Sequence, residues 1–540
     1  MKYLHKNLII AFAIVVFAGC KKLDIAPTDR FSDLTFWTVD LNVTNALNNN
    51  YSLLYNSSLY FEPEALSDNA YSPSGDLNLI ASGNATSLTA KFQGDWASYY
   101  RTIKSVNIFL ANIDQNTTLP PATIARMKAE NQFMRAFALF NLSKWYGDVP
   151  LPDHDLTPEE AQQIPRTSKA AVNAFIISQL DNAISNLPGK DQLPASENGR
   201  ITKGAALALQ MRVLLYEGNK AAEVIAVCEK LINEQATYGS YSLAPSYSAL
   251  FSDPAVNKNN NESILSLQYV PTIRTWQNFW DFAPRTVGGR VSNMAPTQEL
   301  VDDYVMLNGK GIKEAGSGYQ ESSPYGNRDP RLTATVVYDR YIWTNPNNTT
   351  KTIYIRPGSD PVQPGLDEYS PGSQSASATG YYWRKYFDPG ALSSFVSGNN
   401  LHLFRYAEVL LTYAEAKNSL GQMDAAIWAK TIGALRSRAG FTDAAALNLP
   451  AGDLTNVIRR ERRAEMAMEG LRVDDIRRWK LAELTMNGFA HGAKFAADQN
   501  LDNGYIRTQQ RKFNPQRDYL WAIPSSEIGL NKNLTQNPGY

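Results

Sequence analysis

Two glutamates fall in the middle of an apolar helical face, and no other feature of the chain restricts its fold so strongly. From Leu454 the sequence reads as a helix carrying Arg459-Arg460-Glu461-Arg462-Arg463-Ala464-Glu465, and the run continues through Met468 and Leu471 towards Trp479. At about 100° per residue, Leu454, Val457, Ile458, Ala464, Met468 and Leu471 share one face, with Glu461 and Glu465 near its centre. A carboxylate desolvated alone is costly, so each needs an arginine or amide donors. Arg405, on a neighbouring helical run, and Arg462, beside the stripe, are the candidates. One reading is a carboxylate pair for acid–base chemistry. The other is a buried ion-pair network that locks helices together. Arginines crowd the segment, which favours the network.

Helical periodicity recurs along the chain: Thr38 to Tyr55, Trp96 to Ile113, Met127 to Trp145, Ser168 to Leu187, Thr202 to Glu217 and Lys220 to Asn233. Trp96, Tyr99, Tyr100 and Ile103 share a face, which assigns Trp96 to the core. The last two runs flank Gly218-Asn219. Residues 401–420 and 423–438 repeat that hairpin around Gly421. Small alanines at contact positions and short glycine turns resemble tetratricopeptide hairpins. Each such hairpin buries a face by stacking on its neighbour, so the segment between the second and third must fold around the stack. That segment, about 240–400, is rich in Gly, Pro, Ser and Asn, with short strands expected at Ser263 to Tyr269 and Thr333 to Tyr341. Ser57 to Gln93 reads as a long loop.

Several blocks resemble the SusD/RagB family of lipid-anchored, glycan-binding outer-membrane proteins. They are Phe404-Arg405-Tyr406-Ala407-Glu408 with Tyr413-Ala414-Glu415-Ala416, and Arg460-Glu461-Arg462-Arg463 with Glu469-Gly470-Leu471-Arg472 and Asp475-Ile476-Arg477-Arg478-Trp479. The tail adds Tyr519-Leu520-Trp521-Ala522-Ile523-Pro524 and Asn537-Pro538-Gly539-Tyr540, and Tyr146-Gly147-Asp148-Val149-Pro150 also fits. Asp329-Pro330-Arg331-Leu332 is another family-like block, read as structural. The resemblance implies a mostly α fold of tetratricopeptide-like hairpins stacked against a loop-rich region with a few short strands. It implies one interwoven unit over about 36–540: a helical part to about 240, the loop-rich middle, and a helical signature from about 401. It also implies capture of an oligosaccharide and its delivery to a SusC-like TonB-dependent transporter, with no enzymatic activity and no cofactor. The rivals are a surface glycan hydrolase and a peptide- or protein-binding scaffold.

The N-terminus suits that expectation. Lys2, His5 and Lys6 precede an apolar run from Leu8 to Phe17, and Ala18-Gly19-Cys20 follows. This is the pattern of a signal peptide over 1–19, too short to span a bilayer. Small residues before a cysteine resemble a bacterial lipobox, although Phe17 stands where leucine is commoner. Cys20 is the expected lipidation site and 20–35 the tether, placing the protein at the outer membrane.

Lys+Arg and Asp+Glu are both 52, and removal of 1–19 takes away two lysines and no acid. That balance gives no nucleic-acid footprint and no polybasic patch. Cys228, in a helical run, reads as a small buried hydrophobe. The four histidines, His5, His154, His402 and His491, show no metal-ligand spacing, so no metal site is expected. Gly316-Ser317-Gly318 lacks the strand-and-helix context of a nucleophile elbow.

Aromatic residues in loop-like sequence are the better signal. A tryptophan or tyrosine covers the C–H face of a sugar, while Asp, Asn and Arg bond its hydroxyl rim. Trp276 and Trp280, with Arg274 and Asn278, supply such a mixture, and Asp68, Asn69 and Tyr71 supply another. Tyr325 joins the candidates. Trp276 and Trp280 are four apart, so they share a side whether the segment is helical or extended, and they are expected on an exposed loop. The alternative, that these rings pack loops onto the helices, stays open. The resemblance implies a ligand site formed by early loops and the middle region.

Overall fold

Helices form where the periodicity places them because one face of each has a neighbour to bury against. The computed structural model describes residues 33–345, 347–370, 376–391, 394–495 and 502–540; the signal segment and Cys20 lie outside them. The principal helices of the first half are α1 (Asp40–Leu53), α2 (Ala90–Asn112), α3 (Pro121–Tyr146), α4 (Lys169–Asn186), α5 (Lys203–Glu217) and α6 (Ala221–Asn233). Their ends are set locally. The Ser168 and Thr202 side chains accept the N–H groups of Ala171 and Ala205 at the starts of α4 and α5. Pro121 opens α3 in the first turn, where an N–H would have no intrahelical partner and its absence costs nothing. Gly218, at φ 84°, closes α5 in the left-handed region.

Each helix packs on the next from α2 to α6, and α6 packs on α7 (Tyr406–Ser419). The middle segment therefore connects two helices that are direct neighbours in the stack. α7 packs in turn on α8, which runs from Ala425–Trp428 through a π-helical turn at Ala429–Gly433 to Ala434–Ala439, and on α9 (Leu454–Met466). Ala205, Ala206 and Ala208 are fully buried in α5, where small side chains let the helices approach. Trp96 and Cys228 are core, as the sequence indicates. Strands among the described residues form only two-stranded antiparallel pairs.

Four expectations about local structure are corrected. Leu401–Arg405 is a strand rather than the start of a helix; it pairs with Ser263–Leu267 and all five residues are buried. A strand here covers the stack with a ladder that satisfies its own backbone, and the helix begins at Tyr406. The third helical run does not continue to Trp479. It stops at Met466, passes through Met468 at φ 64° and Gly470 at φ 72°, and restarts as α10 (Arg472–Arg478). Gly470 is required there, since a Cβ would lie 2.3 Å from the Tyr60 carbonyl oxygen. The expected strand at Thr333 to Tyr341 is a short helix, Pro330–Thr335, capped by Asp329, followed by strands Val336–Val337 and Tyr341–Thr344. The long loop over Ser57 to Gln93 also contains helices Ser57–Phe61 and Gly75–Ala81.

The glutamates of α9 lie at the centre of a buried network. Glu465 meets Arg405 at 3.0 Å, Arg438 at 2.5 Å and Arg331 at 3.0 Å. Glu461 meets Arg331 at 2.6 Å and Arg436 at 2.7 Å. Arg405 also holds Glu262 and Glu469, Arg438 holds Glu262, Lys385 holds Glu469, and Arg331 holds Asp329. Five acids thus face five bases. Of the two expected partners Arg405 is the one used; Arg462 pairs instead with Asp475 at 2.8 Å and Glu408 at 3.5 Å. Burial alone would raise both carboxyls, but the arginines hold Glu461 and Glu465 below the usual carboxylate range. A general acid would need the opposite shift. The network ties α9 to the strand at 401–405, to α8 and to the helix at 330–335. The Asp329-Pro330-Arg331-Leu332 block therefore does have a structural part.

Candidate functional site

Of the eight predicted ligand-binding residues, four face inward and four are half-buried. Asp68 is 4% exposed and lies 2.7 Å from Arg472 and 3.2 Å from Arg463. Burial alone would raise its carboxyl, yet the two arginines hold it well below the usual range. Asn69 donates to Glu64 and accepts from Arg463. Both residues tie the early loop to the C-terminal signature rather than offering hydrogen bonds at a surface. Trp276 is 3% exposed, its indole N–H donates to the Asn399 carbonyl at 2.7 Å, and its ring packs against Phe61. Trp280 is 1% exposed and sits edge-on to Phe279 and Phe395. The exposed-loop expectation for this pair is corrected. Both indoles turn inward, Trp276 onto Phe61 and Tyr386 and Trp280 onto Phe279 and Phe395, because the loop-rich middle must supply its own apolar interior to sit on the stack. Arg274 is half-buried over Tyr269. Tyr71, half-buried, ends a strand paired to Ala295–Pro296. Tyr325 lines a separate cleft with Tyr381 and Tyr505.

Asn278 lines an open cleft of about 610 Å³ where the early loop meets the middle region. One wall is the start of the helix Gly75–Ala81, with Ser72, Ser74, Asp76 and Leu77. A second is α2, which presents Lys91, Asp95 and Ser98 at i, i+4 and i+7, a stripe flanking its Trp96–Tyr99–Ile103 core face. The third is the 3₁₀ turn Asn278–Asp281 with Phe282, continued by Asn293 and Met294. Asn56 and Glu62 close the end. Size and mixed lining suit a small-molecule site.

The cleft is acidic. Glu62, Asp76, Asp95 and Asp281 surround one amine, Lys91, which is 2.8 Å from Glu62 and 3.1 Å from Asp95. Asp76 accepts the Lys91 backbone N–H at 2.6 Å, and Asp281 lies 2.9 Å from Arg290. Burial raises the Asp95 and Asp281 carboxyls. Leu59, Leu77, Phe282 and Met294 form an apolar floor. Among the described residues no half-exposed aromatic ring lines this cleft, so recognition in it rests on hydrogen bonds around an apolar patch. Lys91, Asp95, Asp281 and Asn293 escape sequence reasoning. The i, i+4, i+7 polar stripe of α2 is the one signal that points to any of them. No group of His, Cys, Asp and Glu able to hold a metal occurs among the described residues.

Residues 251–540 match the model of the SusD family, and residues 29–215 match a model described as starch-binding, associating with outer membrane. A SusD-like protein of Formosa agariphila is 25% identical over 98% of both chains. A SusD-like protein of Bacteroides ovatus is 26% identical over 49% of this chain and 50% of its own. Among solved structures, a SusD-like carbohydrate-binding protein of Bacteroides fragilis aligns with TM-score 0.81 at 28% identity, covering 93% of this chain and all of that one. A laminarin-binding SusD-like protein aligns with TM-score 0.68 at 23% identity, covering 93% and 99%, a likeness of fold.

Proposed function

The chain belongs to the SusD family, and from that premise we propose that it captures an oligosaccharide in the cleft between residues 72–98 and 278–294 and passes it to a SusC-like TonB-dependent transporter in the outer membrane. The family association supports a glycan-binding role and an outer-membrane setting. No helix of the described residues is long and apolar enough to cross a membrane, and attachment through acyl chains on Cys20 is part of the proposal.

The observation that carries the proposal is the composition of the cleft. Serine, asparagine and carboxylate groups from four separate chain segments converge around an apolar floor. A pyranose offers a hydroxyl rim and an apolar face, and this lining answers both. The carboxylates accept hydroxyl protons, which strengthens such bonds.

The test is calorimetry of the full mature chain with a panel of neutral malto-, laminari-, xylo- and manno-oligosaccharides. Asn278 and Asn293 are at least partly exposed, so Asn278→Ala/Asn293→Ala should stay folded. With about 1 kcal/mol per hydrogen bond, the double variant should bind its oligosaccharide tenfold or more weakly. Wild-type affinity in that variant overturns the assignment of this cleft. Release of reducing ends by the wild-type protein would overturn the non-enzymatic reading in favour of a surface hydrolase.

A further inference from the structure

A second cleft, of about 860 Å³, is lined by Gln298, just past the strand Ala295–Pro296 in the chain. Its lining differs in kind from the first. Tyr319, Tyr325, Phe495 and Tyr505 present half-exposed rings, the feature that the acidic cleft lacks. Tyr325 is held rigidly: it stacks on Tyr338 at 4.0 Å and 17°, and its hydroxyl lies 3.3 Å from that of Tyr381. Tyr381 in turn donates to Gln298 at 2.6 Å.

Its charge is also of the opposite sense. Arg340 and Arg356 stand at the rim with side chains 71% and 57% exposed. Among the described residues the nearest carboxylate to both is Asp339, at 3.9 and 4.0 Å, beyond hydrogen-bond distance. Asp339 already accepts the backbone N–H groups of Ile355 and Arg356 at 2.9 Å each. Arg356 lies 4.8 Å over the Phe495 ring, which orients its guanidinium. The third cation, Lys494, is matched by Glu321 at 2.9 Å. Two arginine forks are thus left facing solvent beside tyrosine faces. A planar anion such as a carboxylate or sulfate fits those forks in two-point contact.

We propose that this tyrosine cleft is a second binding site, specific for an anionic sugar residue, a uronate or a sulfate ester, whose ring covers the exposed aromatic faces while its anion meets Arg340 and Arg356. That the ligand is a sugar rests on the glycan-binding reading above; that it is anionic rests on the rim charges alone. The two clefts would then divide one polymer by charge, with acidic residues excluded from the carboxylate-lined cleft and held at the arginine-lined one.

Calorimetry of the mature chain with three probes tests this: oligogalacturonate for the carboxylate, carrageenan oligosaccharide for the sulfate ester and maltooligosaccharide as a neutral control. At least one anionic probe should bind, more weakly as salt rises. Arg340→Gln/Arg356→Gln, at exposed positions, should fold and lose about tenfold or more of that affinity. Tyr505→Ala should weaken the same probe, whereas inorganic sulfate alone should be insensitive to Tyr505→Ala. Asn278→Ala/Asn293→Ala should leave anionic binding unchanged. Failure of both anionic probes to bind, or undiminished binding in the arginine double variant, overturns the second site. Neither result touches the first cleft, which is judged by the neutral oligosaccharide panel and its own asparagine variant.

Discussion

Replacing Glu465 with glutamine removes one charge and almost no volume from the centre of the buried network. Glu465 is fully buried and meets three arginines at 2.5–3.0 Å. The variant leaves four acids against five bases in a dry interior, and its amide N–H groups point at guanidinium donors. Breaking a buried pair costs about 3–5 kcal/mol. The lower end applies, because Arg405 keeps Glu262 and Glu469, Arg438 keeps Glu262, and Arg331 keeps Asp329 and Glu461. With an unfolding entropy of about 2.1 cal/mol/K per residue, a chain of 540 residues unfolding cooperatively carries about 1 kcal/mol per kelvin. Tm should therefore fall by about 3 °C at pH 7 in scanning calorimetry, with oligosaccharide affinity unchanged. The pH dependence has a definite sign. Burial opposes ionisation of Glu465, but Arg438, Arg405 and Arg331 outweigh it and hold the folded pKa well below the ordinary 4.5. Its stabilisation is complete above 4.5 and fades as pH falls through the lower, folded value. The gap between wild type and Glu465→Gln should narrow on acidification below pH 4.5. An unchanged Tm accompanied by lost binding, or a gap that widens in acid, would refute the structural role and restore a functional carboxylate pair.

Trp276→Ala should behave as a core truncation, losing about 3–5 kcal/mol and a similar number of degrees in Tm, since its ring packs on Phe61 and its N–H holds the Asn399 carbonyl. Thermal denaturation decides, and a wild-type Tm with lost sugar binding would put the indole back at the surface. Cys20→Ala should abolish acylation and release the protein from the membrane fraction, because each buried CH₂ of an acyl chain contributes about 0.8 kcal/mol to anchoring; mass spectrometry of the N-terminus with membrane fractionation checks it, and a variant that fractionates like wild type removes the anchor from the reading.

How far the sequence could be read depended on the range of the interaction involved. The faces of α2 to α6 are legible because the helical period repeats within a few residues, and the ends follow from Ser168, Thr202, Pro121 and Gly218. The break after Met466 was hidden. Met468 and Leu471 continue the apolar period, and the close approach of Gly470 to the Tyr60 carbonyl, a contact across some four hundred positions, appears only in the folded chain. The strand Leu401–Arg405 was masked in the same way: its apolar residues suit a helix until Ser263–Leu267 supplies a ladder.

For the charges, the sequence by itself determined that Glu461 and Glu465 must be paired, because the apolar face around them excludes water. It named Arg405 as one partner but could not order the set, since Arg331, Arg436 and Arg438 reach the same point from separate elements. For the site, it determined that aromatic and polar residues mingle in the early and middle loops. Whether each ring turns in or out was decided only by tertiary structure. Trp276 and Trp280 turn inward because the described residues of the middle segment form only short helices and two-stranded pairs, and large apolar side chains fill the space against the stack. The clefts are what remains between elements packed in this way, so Lys91 and Asp281, or Arg340 and Tyr505, become neighbours only once the chain has folded.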